Sequence, residues 1–84
     1  MNVEISDAAK RDIRRLDKPV ARRVITRLSW FADNISDLTP IPMQGNWAGF
    51  FKLRIGDYRV LYEIIEEENL IIVIQVGHRR EIYR

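Results

Sequence analysis

From Val3 to Ile35 the apolar residues recur mostly at helical spacing, and from Phe50 to Val76 they alternate with polar ones. Val3–Ser6 is a short strand candidate at the start. Ser6 can then cap a helix running to about Leu16, with Ala9, Ile13 and Leu16 on one face. The Asp17-Lys18-Pro19 sequence breaks it, and Asp17 can cap the next helix. That second helix spans about Pro19 to Ile35, with Val20, Val24, Leu28, Phe31 and Ile35 at helical spacing. So short a link implies an antiparallel helical hairpin.

Residues 36–49 read as loop on their prolines, glycines and Asn46. Three strands are predicted after it: about Phe50–Ile55, Tyr58–Ile65 and Leu70–Val76. Gly56-Asp57 and Glu66–Asn69 join them, links short enough for an antiparallel meander. The expected fold is α+β, in one domain spanning 1–84: a helical hairpin on one face of an antiparallel sheet, with the N-terminal strand joining it.

Alternation assigns the two sheet faces. One collects Phe51, Leu53, Ile55, Tyr58, Val60, Tyr62 and Ile64, and would continue through Leu70, Ile72, Ile74 and Val76. It carries no charge, so it is the face the helices should cover. The other collects Lys52, Arg54, Arg59, Leu61, Glu63, Ile71, Val73, Gln75 and Arg79. Folding the meander brings Lys52, Arg54, Arg59 and Arg79 to one end of this second face and Glu66–Glu68 to the other. Like charges brought together cost stability, so four clustered cations suit an anion. Arg offers bidentate donors to a phosphate. Lys and Arg are also common on a solvated sheet face, so alternation alone leaves both readings open.

Charge distribution sharpens this more than the net charge of +2 does. Residues 1–34 hold eight Lys/Arg against five Asp/Glu, and residues 35–69 hold three against six. The helical cations, from Lys10 to Arg27, fit the polar faces of amphipathic helices or contacts to RNA phosphates. There is no cysteine, hence no disulfide or thiolate zinc site, and a lone histidine makes a metal site improbable. No apolar run approaches the roughly 20 residues that span a bilayer, and the first residues do not resemble a signal peptide. The expectation is a soluble, cytoplasmic protein with no membrane contact.

The segments "FFKLRIGDYRVLYEI" and "IIVIQVGHRREIYR", with two basic helices before them, resemble the RelE branch of the RelE/ParE toxin superfamily. The resemblance covers nearly the whole chain. "GDYRVLY" is shared across the superfamily, whereas the "VGHRREIY" ending is more specific to RelE-like mRNA endonucleases. It implies a prokaryotic toxin of a type II toxin–antitoxin module that cuts mRNA in the ribosomal A site. The mRNA 2′-hydroxyl attacks the adjacent phosphate, without a metal or other cofactor. The implied site residues are Lys52 and Arg54 of the K-x-R strand, Arg59 of the Y-R dipeptide, Arg79 and Tyr83. Some relatives carry a further lysine where this chain has Phe50. The implied partners are the 70S ribosome with its mRNA and an acidic antitoxin that folds on binding, the toxin being monomeric alone. A ParE-like gyrase inhibitor and a noncatalytic binding domain are the alternatives on the same scaffold.

In such a reaction Arg54, Arg59 and Arg79 would stabilise charge on the phosphate. Arginine is a poor base, its pKa lying above roughly 12. Lys52 could serve as base only if neighbouring cations lower its pKa. Tyr83 could stack on a nucleotide base. His78 has the chemistry of a general acid and could also lie beside the substrate; its parity follows Val76 toward the core, although Gly77 can break the alternation. Trp30 is expected to support the helix face near Phe31, and Trp47 to pack its loop.

Overall fold

The computed structural model describes residues 1–80. Two helices lie on one face of a five-stranded mixed sheet. In chain order the elements are β1 (Asn2–Ile5), α1 (Asp7–Arg14), α2 (Lys18–Asn34), β2 (Ile41–Pro42), β3 (Phe51–Ile55), β4 (Tyr58–Ile65) and β5 (Leu70–His78). The sheet order is β1-β5-β4-β3-β2. Strands β3, β4 and β5 form the expected antiparallel meander. β1 joins as a parallel edge strand beside β5. β2 has no counterpart in the sequence pattern: two residues of the proline-containing loop pair with Phe51 and Lys52 at the opposite edge.

The Ser6 hydroxyl accepts the Ala9 N–H at 3.1 Å, as an N-cap should. α1 stops at Arg14 because the next two N–H groups, of Arg15 and Leu16, bond back only three residues, tightening the turn. α2 already begins at Lys18, with Pro19 in the first turn, where its missing N–H costs nothing. Asp17 takes the extended cap conformation, but its side chain makes no cap bond. The stripe Val24, Leu28 and Phe31 is buried as expected, joined by Ala32. Val24 and Leu28 pack in one cluster with Val60, Val73 and Val76. Phe31 and Ala32 pack in a second with Tyr62 and Ile71.

These clusters correct the face assignment of the third meander strand. Ile71 and Val73 face the helices, whereas Leu70 and Ile72 share the other face with their partners Ile65 and Glu63. The cause is a β-bulge. Leu61 pairs with Gln75 but Tyr62 pairs with Val73, so Ile74 is an extra residue in β5. One extra residue inverts the alternation, which returns to the expected parity at Val76. Leu61 is a second correction. It lies on the face expected to be uncovered, yet it is 0% exposed. Its cross-strand neighbours Lys52 and Gln75 have long stems of the kind that cover apolar surface.

Where β1 ends, the first turns of the chain carry on its bonding to β5 past the bulge. The Ser6 N–H donates to the Val73 carbonyl at 3.0 Å, and the Ser6 hydroxyl to the Ile74 carbonyl at 3.1 Å. The Val76 N–H donates to the Asp12 carboxylate at 3.0 Å. One polar turn and one helical acid therefore hold the course of β5.

Replacing Asp12 by Ala should cost about 1–3 kcal/mol, since the Val76 N–H loses its acceptor. Asp12→Asn keeps an amide oxygen and should cost less. Urea denaturation of the two variants checks the order. Equal stability of Asp12→Ala and the wild type would show that this bond contributes nothing.

Candidate functional site

The meander hairpin places the cations. Its two-residue turn needs a positive φ at the first position, and Gly56 supplies +59°. The register then sets Ile55 opposite Tyr58 and Arg54 directly opposite Arg59. Lys52 is two residues along on the same face, opposite Leu61. On the other side of β4, Arg59 faces Gly77 of β5. The chain then turns so that the Arg79 N–H donates to the Asp57 carbonyl at 2.9 Å. Three arginines thus surround one hairpin turn, with Lys52 beside them.

Arg54 and Arg79 are exposed, and Lys52 and Arg59 are half-buried. The Arg59 guanidinium donates to the carbonyls of Tyr58 and Gly56 at 3.1 and 3.3 Å. Those contacts fix it at the turn without neutralising its charge. A phosphate could take up the donors that remain.

His78 is not part of this group. It pairs with Tyr58 on the helix-covered side, and the two rings meet edge to face at 5.6 Å. Its Nδ1 accepts the Arg80 N–H at 3.2 Å. Tyr83 lies outside the described residues.

Two residues that the strand pattern missed adjoin the site. Arg23 of α2 brings its guanidinium to the turn, where a Cβ added at Gly56 would sit 3.5 Å from its Nη1. The signal was present as helical spacing, since Arg23, Arg27 and Trp30 flank the buried stripe at i, i+4 and i+7. The second is Tyr62. Its ring is held between Phe31, edge to face at 5.2 Å, and Phe51, stacked at 5.7 Å. It is 0% exposed, and its hydroxyl has no hydrogen-bond partner among the described residues. It lines a groove of about 180 Å³ between α2 and the edge of β3, whose walls include Arg27, Trp30, Pro40, Lys52 and Arg54. Burial pushes the Tyr62 phenol up to about 12.

Known proteins share this architecture. Residues 3–83 match the family described as the ParE toxin of the type II toxin–antitoxin system parDE. Toxin RelG of Mycobacterium tuberculosis is 31% identical over 86 residues, spanning 98% of this chain and 94% of the relative. Toxin RelE of the same organism is 28% identical over 83 residues, spanning 99% and 86%. The crystal structure of the M. tuberculosis RelBE2 toxin–antitoxin complex superposes with a TM-score of 0.83 at 26% identity, over 93% of this chain and 96% of that one. The isolated E. coli RelE toxin gives 0.74 at 19% identity, over 92% and 82%, a likeness of fold. The chain belongs to the RelE/ParE superfamily of type II toxins.

Two outcomes follow from the geometry. Arg54 and Arg59 are like charges directly opposed, so Arg54→Thr should raise stability by about 0.2–1 kcal/mol at low salt, less at high salt. Thermal denaturation at two ionic strengths reads this, and a loss of stability at low salt would show that the pair does not repel. The raised Tyr62 pKa favours the folded state below pH 10, where the phenol is neutral in both states. That contribution, on the order of 2 kcal/mol, is lost as pH rises from 10.0 toward about 12. Tyr62→Phe should therefore denature less steeply than the wild type across that window. Parallel curves would place the Tyr62 hydroxyl in water.

Proposed function

We propose that this toxin is a ribosome-dependent mRNA endoribonuclease, cutting by attack of an mRNA 2′-hydroxyl on the adjacent phosphodiester. The observation that carries the reading is the pairing of Arg54 with Arg59 at a turn that also holds Arg79. A stable fold gains nothing from gathering these charges, and a phosphate passing to a dianionic transition state does. Each arginine supplies fixed donors where charge develops, a kind of contact whose loss typically costs about 10²–10³ in rate. Lys52, next along the same face, is the proposed proton acceptor, or a further electrostatic contact if it stays charged. Tyr83 is proposed to stack on a nucleotide base. His78, on the other face, is assigned a structural part.

A small cationic face reads little RNA sequence by itself. A ribosome that presents the mRNA in one geometry supplies the positioning that the toxin lacks. The proposed location follows from the partner: the prokaryotic cytoplasm, where the 70S ribosome works. The RelBE2 relative was solved as a toxin–antitoxin complex. By analogy this chain is proposed to pair with an acidic antitoxin that folds on binding and masks the cations. A ParE-like gyrase inhibitor is the second reading, favoured by the description of the matching family.

Primer extension on an mRNA translated in a cell-free bacterial extract separates the two. The wild type should give cuts within codons. These should be absent without ribosomes, and an Arg59→Ala/Arg79→Ala variant should weaken them at least 100-fold, about the effect of one lost donor. Intact mRNA in every lane, with folded protein, would overturn the endoribonuclease reading and direct attention to gyrase cleavage.

A further inference from the structure

The groove between α2 and the edge of β3 lies around the corner from the cationic face, and Lys52 and Arg54 line it. β2 stops pairing at Ile41, and the residue before it, Pro40, has no N–H to offer. Among the described residues, the edge of β3 past Lys52 is therefore open. The groove is roofed by Arg27 and Trp30, whose guanidinium and indole lie 4.4 Å apart. Its lining includes Tyr62, fully buried, whose hydroxyl has no partner among the described residues.

We propose that this groove is a subsite for one unpaired base of single-stranded RNA. The inference rests on the endoribonuclease reading and extends it to a nucleotide beside the scissile phosphate. Size comes first. About 180 Å³ falls below the roughly 300–1,000 Å³ of pockets for drug-sized ligands, and suits one small planar group. Chemistry comes second. Apolar and aromatic walls with a cationic rim are the composition that takes up a splayed base and its phosphate. The Tyr62 hydroxyl is closed to solvent, so a base edge reaches it when the groove walls part, and the hydrogen bond then relieves a phenol whose burial without a partner costs about 1–3 kcal/mol. Continuity comes third. From Arg59 the positive band passes through Arg54 and Lys52 to Arg27, with Arg23 at the Gly56 turn, so one strand could follow it from face to groove.

An extended peptide fits less well. The two-residue turn directs the backbone groups of Ile55 and Leu53 toward β4 and those of Arg54 outward. The Phe50 carbonyl, of the same parity as Arg54, accepts the Met43 N–H at 2.9 Å. Between the end of β2 and the turn, only Arg54 offers backbone partners to an added strand. A strand needs a longer row than that to bind by pairing.

The test uses Trp30 as reporter, in a Trp47→Phe background where it is the remaining tryptophan. The probes are a short 2′-O-methyl oligoadenylate, which has no free 2′-hydroxyl to attack, and an abasic strand of equal length and charge. The base-bearing strand should quench Trp30 emission and bind more tightly than the abasic one. Tyr62→Phe should reduce that preference about 2–10-fold, the worth of one hydrogen bond. Trp30→Ala, at an exposed position, should reduce it too, read by anisotropy of labelled strands. Arg59→Ala should weaken both strands alike and leave the preference intact. Equal binding of the two strands would overturn the proposal, as would an unchanged preference in folded Tyr62→Phe and Trp30→Ala. Quenching by an acidic peptide but not by the base-bearing strand would overturn it in favour of a protein-docking groove. No ribosome or cleavage enters this readout. Failure here removes the base subsite and leaves mRNA cleavage standing, whereas failure of the nuclease reading appears as intact mRNA in translation.

Discussion

The path of β5 depends on one set of hydrogen bonds. Just past the end of β1, Ser6 and Asp12 bond the Val73 and Ile74 carbonyls and the Val76 N–H around the bulge at Ile74. Without the bulge, Val73 and Val76 would face opposite sides of the sheet, because alternation sends residues three apart to different faces. With it, both meet Val24 and Val60 in one core. The same extra residue sets which face Gly77 presents to Arg59, and where Arg79 arrives beside the hairpin turn. A packing requirement and a few local polar contacts therefore position one of the proposed functional cations.

The cationic end of the sheet works against the fold that carries it. Arg54 faces Arg59 across the ladder, and Arg23 adds a guanidinium at the same turn. The hairpin accepts this because the core beneath is independent of it: Val60 and Tyr62 are fully buried between the charged positions of β4. Strand alternation keeps repulsion on one face and cohesion on the other. A chain of 84 residues has little stability to spare, so such a separation matters more here than in a larger domain.

Much of this was legible in the sequence. The helix stripe, the N-cap at Ser6, the Gly56 turn and the Arg54–Arg59 juxtaposition follow from period and turn chemistry alone. So does the placement of His78 on the side away from the cations. The face of β5 was not legible, because a run of apolar residues from Leu70 to Ile74 gives no alternation to read and hides a bulge. β2 was hidden by its proline, which argues against a strand except at an edge. The Tyr62 groove needed tertiary structure, since helix, loop and strand edge each supply part of its wall.

The central claim is that Arg54, Arg59 and Arg79 hold RNA phosphates. The salt dependence of affinity for a non-cleavable single-stranded RNA tests it most directly. Each phosphate neutralised contributes about −0.7 to the slope of log affinity against log salt. An Arg54→Ala/Arg59→Ala/Arg79→Ala variant should therefore show a slope shallower than the wild type by about 2. An unchanged slope, with the variant folded, would mean that these arginines do not touch the backbone and would contradict the account.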